Sequence, residues 1–258
     1  MGRLQELFNN KKSGVLNVYC TAGYPSLDST LPVMESLQRC GVDMIELGIP
    51  YSDPVADGPV IQQSNMQALN NGMSVSVLFK QLKNFRASIH VPVILMGYLN
   101  PMMQYGFEKF CAEAAALGID GLIVPDLPVY AFEKEYGAVI KKTGLDFIFL
   151  VTPETPPDRI RMLDEMSSGF LYAVTSSSTT GAKKNEQGMA AYLQRLSGMN
   201  LKNPILAGFG IKSNSDFNTV CRYVHGAIVG SAYINRLNGA ADVHAVTEPF
   251  IRFLLTGK

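Results

Sequence analysis

The sequence predicts a (β/α)8 TIM barrel with extra helical segments, a single domain over residues 1–258, and three observations carry that prediction. Eight short apolar runs recur along the chain, amphipathic helical patterns separate them, and no linker or low-complexity tract marks a boundary. A length of 258 residues suits one α/β barrel. With 47% hydrophobic residues the chain also has enough apolar surface to bury a core, which argues against disorder.

The runs, in order, are VLNVYC (15–20), DMIELGI (43–49), VPVILMG (91–97), GLIVPD (121–126), FIFLVT (147–152), FLYAVT (170–175), PILAGFG (204–210) and GAIVGSA (226–232). Near-continuous hydrophobicity over so few residues is the pattern of parallel strands covered on both faces. Between the first two runs, Leu31, Met34, Leu37 and Cys40 share one helical face and Gly41 supplies the left-handed end. Phe107, Phe110, Cys111, Ala114 and Leu117 before Gly118 repeat the arrangement. The longest gap, between the second and third runs, holds an additional helical segment at 74–88. An open doubly wound sheet is the structural alternative.

Charge and cysteine usage narrow the function. Lys plus Arg and Asp plus Glu are balanced at 22 each, and no basic run exceeds a pair, so nucleic acid and anionic membranes are not expected partners. Cys20, Cys40, Cys111 and Cys221 lack any zinc spacing and read as core residues in a reducing compartment. The start MGRLQELFNNKK has no apolar signal core and no long apolar span follows, so a cytoplasmic location is expected.

In this fold chemistry collects at the C-terminal ends of the strands. Glu46 falls within the second run, ahead of Leu47, Gly48 and Ile49, and Asp53 and Asp57 follow it in the stretch ELGIPYSDPVADGP. A carboxyl among apolar neighbours favours its neutral form, which suits a general acid and base, whereas aspartates beside proline and glycine also serve simply as turn formers. His90, His225 and His244 all fall away from the predicted mouth, and no run contains a lysine. Metal and Schiff-base chemistry are therefore disfavoured, leaving paired carboxylates. Gly208, Gly210 and Gly230 end the seventh and eighth runs, where backbone amides commonly bind phosphate.

The motifs TAGYP (21–25), ELGIPYSDPVADGPVIQ (46–62), GYLNPMMQYG (97–106), VPDLP (124–128), TTG (179–181), GFGI (208–211) and VGSA (229–232) give the chain a resemblance, over nearly its whole length, to the tryptophan synthase alpha subunit family. That resemblance implies retro-aldol cleavage of indole-3-glycerol phosphate to indole and glyceraldehyde 3-phosphate. It assigns general acid/base work to Glu46 and recognition of the indole N–H to Asp57. It assigns phosphate binding to Gly181, Gly210, Gly230 and Ser231, and places Tyr172 near the acid. Tyr19, Ile61, Met96 and Tyr98 would line the indole pocket, and Thr180 would take part in loop closure. No cofactor is expected in this chain; pyridoxal phosphate is expected in a partner beta subunit, within an alpha2-beta2 assembly. Ser178-Thr179 depart from the family's commoner Gly-Val. An activating subunit with negligible turnover, or another sugar-phosphate lyase, are the competing readings.

Overall fold

Every apolar run forms strand, and all the strand pairings are parallel. The computed structural model describes residues 2–175, 182–208 and 210–258. Its strands are β1 (Val15–Thr21), β2 (Met44–Gly48), β3 (Val93–Met96), β4 (Gly121–Ile123), β5 (Asp146–Phe147), β6 (Leu150–Val151), β7 (Leu171–Val174), β8 (Ile205–Gly208) and β9 (Gly226–Val229). They lie in the order β5-β4-β3-β2-β1-β9-β8-β7-β6.

The ninth strand arises because the fifth run is divided. β5 pairs with β4 and β6 pairs with β7, so one extended passage hands its hydrogen bonds from one neighbour to the other. Between the two segments, Ile148 N donates to Leu122 O at 3.0 Å, and Tyr172 N donates to Phe149 O at 3.0 Å. The sheet therefore closes on itself as eight staves, as the eight runs predict.

Side-chain alternation sorts the strands into two cores. Leu16, Val18, Ile45, Leu47, Val93, Leu95 and Leu122 face outward against the helices. Val15, Met44, Ile94, Ile123, Ile148, Leu206 and Ile228 face inward and pack as a separate cluster.

Helix α1 (Arg3–Asn10), which the sequence reading does not anticipate, closes the floor of that cluster. Leu4 and Phe8, one turn apart, are its buried residues, and the Phe8 ring lies 6.2 Å from Phe170. Asp120 holds the helix from outside: it accepts from Arg3 at 3.0 Å, from Arg86, and from Val93 N at 2.7 Å.

Helix α2 (Thr30–Arg39) covers β1 and β2 with Val33, Met34 and Leu37 buried. The predicted face is correct at its centre, whereas Leu31 and Cys40 are only half-buried at its edges. Gly41 and Gly118 take positive φ values of 88° and 92°, which end their helices as expected. The additional segment resolves into a helix at Val75–Gln81 and a short turn at Phe85–Ala87. No helix among the described residues is long and apolar enough to cross a membrane.

Candidate active site

Glu46 points into the barrel because it follows Met44 by two positions on β2, while Ile45 and Leu47 turn out to the helices. It is 1% exposed. Asn17, two positions beyond Val15 on β1, donates from Nδ2 to Glu46 Oε2 at 2.9 Å. Burial, with a smaller push from the charge of Asp57, raises the carboxyl to about pKa 8 against the opposing pull of the Asn17 amide. Glu46 can therefore hold or release a proton near neutrality.

Asp57 stands in the loop between β2 and helix α3 (Pro59–Asn70). Its amide donates to Pro54 O at 3.0 Å, and Pro59 opens the helix, where the fixed φ of proline suits the first turn. Tyr98 clamps this loop: its hydroxyl donates to Asp57 Oδ2 at 3.0 Å and accepts from Ala56 N at 2.9 Å. Burial raises the Asp57 pKa and the Tyr98 hydrogen bond lowers it. Thr21 and Ser64 share a hydrogen bond of 2.7 Å that ties α3 to the end of β1. Asp53, by contrast, is exposed and accepts from Ser52 at 2.5 Å, which is the turn-forming alternative.

Two tyrosines complete the wall. A Cβ at Gly48 would fall on the Tyr19 hydroxyl, and a Cβ at Gly208 would fall on that of Tyr172. Each phenol thus lies across a glycine of the next strand. Burial raises both tyrosines well above the ordinary phenol range, and the charges of Glu46 and Asp57 add to it, so both remain neutral. Met96 ends β3 against the inner cluster. Ile61, on the first turn of α3, is buried with the outer cluster, so it is tied less directly to the carboxylates than Tyr98 is.

Of the phosphate candidates, Gly210 is exposed after β8 with φ at 72°, a conformation that favours glycine. Gly230 precedes the helix Ser231–Leu237, and its carbonyl accepts from Tyr233 N and Ile234 N. A Cβ there would meet Tyr19 Cβ only at an ordinary 3.6 Å, so crowding is not what demands glycine at 230. Thr180 and Gly181, with Ser178-Thr179, lie outside the described residues.

The family model described as tryptophan synthase alpha chain matches residues 5–251. The chain belongs to the tryptophan synthase alpha chain family. The alpha chain of Parabacteroides distasonis is 49% identical over 256 residues, covering 98% of this chain and 99% of that one. That of Bacteroides thetaiotaomicron is 46% identical over 244 residues, covering 94% and 95%. Among solved structures, the alpha subunit of Legionella pneumophila superposes with a TM-score of 0.89 at 33% identity, covering 99% and 97%. The A-subunit of Pyrococcus furiosus gives 0.86 at 34% identity, covering 95% and 99%.

For this member of the tryptophan synthase alpha chain family, the residue that sequence reasoning missed is Asn17. Its signal is present in the first run and the residue after it, where Asn17, Tyr19 and Thr21 recur at every second position of an otherwise apolar strand. Such a period marks a polar inner face. Among the described residues no group of three or more His, Cys, Asp or Glu gathers as a metal site.

Proposed function

We propose that this chain is the lyase that cleaves indole-3-glycerol phosphate to indole and glyceraldehyde 3-phosphate, with Glu46 as general acid and base. The observation that carries the reading is the buried Glu46 carboxyl, poised near neutrality beside a second carboxylate. Glu46 gives its proton to the ring carbon that bears the side chain, and the ring becomes cationic. Asp57 accepts a hydrogen bond from the indole N–H and stabilises that charge. Glu46 then takes the proton of the neighbouring glycerol hydroxyl. The carbon–carbon bond breaks, its electron pair returns to the ring, and the hydroxyl-bearing carbon leaves as the aldehyde.

Tyr19, Met96, Tyr98 and Tyr172 enclose the ring, with Ile61 behind them. Gly210, Gly230 and Ser231, together with Gly181, receive the phosphate, and Thr180 serves the closing of the sixth loop. Residues 1–258 act as one domain, in the cytoplasm. Indole passes to a beta subunit that carries pyridoxal phosphate, within an alpha2-beta2 assembly. Val55, Met103 and Tyr130 support a partner surface: they are 86%, 52% and 71% exposed and follow three successive strands on the side of the barrel that carries Asp57.

The test is indole release by the purified chain, with and without a beta subunit, for wild type and Glu46→Gln. General acid–base catalysis contributes about 10²–10⁴-fold, so the variant should lose at least that much while still binding substrate. Turnover near the wild-type rate would remove Glu46 from the role.

A further inference from the structure

Asn17 is a side chain for which the reaction above has no use. It is 0% exposed inside the barrel. Its Nδ2 donates to Glu46 Oε2, but its Oδ1, also buried, has no partner among the described residues. A buried carbonyl left unpaired costs stability, and a leucine of the same shape would avoid that cost. Packing therefore does not account for an amide here.

The surroundings of Glu46 say what the amide supplies. From β1 come Asn17, Tyr19 and, on the outer face, Cys20; from the β2 loop comes Asp57; from β7 comes Tyr172. Tyr19, Cys20 and Tyr172 are held in their neutral forms, and Asp57 repels a second negative charge. Among the described residues, Asn17 is the one group that favours the ionised carboxyl. It also occupies one of the two carboxyl oxygens and leaves Oε1 without a hydrogen-bond donor among the described residues. An amide donor accomplishes this without the fixed charge of lysine or arginine, which would hold the carboxylate ionised and abolish its use as an acid.

We propose that Asn17 is a positioning residue for proton transfer: by engaging Oε2 it presents Oε1 of Glu46 to the substrate and keeps the carboxyl able to ionise within the cycle. This rests on the reading of Glu46 as the acid and base. The protonated carboxyl begins the reaction, so activity declines on the alkaline side as Glu46 ionises. Removing the donor leaves the neutral form more favoured.

The experiment compares the pH dependence of indole release for wild type, Asn17→Leu and Glu46→Gln. In Asn17→Leu, kcat should fall about tenfold with KM little changed, and the alkaline limb should move up by about one pH unit or more. A purely structural role would lower activity without moving the limb. An unmoved limb in the folded leucine variant, with Glu46→Gln inactive, would overturn the role of Asn17 alone. Normal turnover by Glu46→Gln would overturn the reading of Glu46 itself. Should the leucine variant fail to fold, the isotope-labelled wild type gives the answer. Its Asn17 side-chain amide resonance should shift with pH in step with the alkaline limb, and lose that shift in Glu46→Gln. A resonance indifferent to pH would defeat the proposal.

Discussion

The floor and the mouth of this barrel are built from the same strands one alternation apart. Val15, Met44, Ile94, Phe170 and Leu206 line the floor; two positions on, the same strands present Asn17, Glu46, Met96, Tyr172 and Gly208. The lower layer is apolar and closed by α1, and the upper layer holds the polar groups. The difference teaches that the floor makes the mouth chemically useful. It keeps water from Glu46 from below and so contributes to the burial that is the main cause of its raised proton affinity.

The comparison is broken most severely by emptying the floor. Phe170→Ala removes the ring that meets Phe8, and should cost about 3–5 kcal/mol in denaturant unfolding. A loss below about 1 kcal/mol would mean that α1 does not seal the barrel.

Glu46→Gln probes the same desolvation through stability. The carboxyl binds its proton more tightly folded than unfolded, rising from 4.5 to about 8. Between those values the native state holds more protons, so wild-type stability falls as pH rises through the window and the penalty is complete above it. Glutamine does not titrate. The variant should gain on wild type from pH 5 to 8 by on the order of a few kcal/mol, as thermal melts across that range would reveal; parallel curves would place Glu46 in water.

Gly208→Ala tests the mouth alone, because the new methyl group displaces the Tyr172 hydroxyl. A destabilisation of about 1–3 kcal/mol is expected, and substituting a smaller residue for Tyr172 should recover most of it. Two additive losses would show that the positions do not share space.

The smallest effect belongs to Tyr98→Phe. Without the hydroxyl, Asp57 loses the donor that favours its charge, so its pKa rises and the acid limb of the rate profile moves upward. Turnover at neutral pH should fall about tenfold or less, in keeping with a net hydrogen-bond contribution of about 0.5–1.5 kcal/mol. An unchanged acid limb would detach Tyr98 from Asp57.

The strands were readable because parallel staves buried on both faces leave unbroken apolar runs in the sequence. Glu46 stood out as a charge inside such a run, and Asp57 through the ADGP motif. What escaped was whatever depended on partners brought together by closure. α1 is a short amphipathic segment whose apolar stripe acquires meaning only beneath a barrel. The break at 148–149 is equally invisible, since hydrogen bonds passing from β4 to β7 do not alter the apolar pattern. Asn17 lay in plain view, but a polar residue in a strand declares its purpose only when its parity is matched with that of Glu46 on the adjoining stave.

Tyr19 across Gly48 and Tyr172 across Gly208 also bear on how such a chain can change over generations. Each pair is one volume shared by two distant codons. A mutation that enlarges either glycine is costly while its tyrosine stands, and loses most of that cost once a smaller side chain has taken the tyrosine's place. The order of events is therefore prescribed, the tyrosine before the glycine, and these pairs should drift as linked characters rather than as four independent sites.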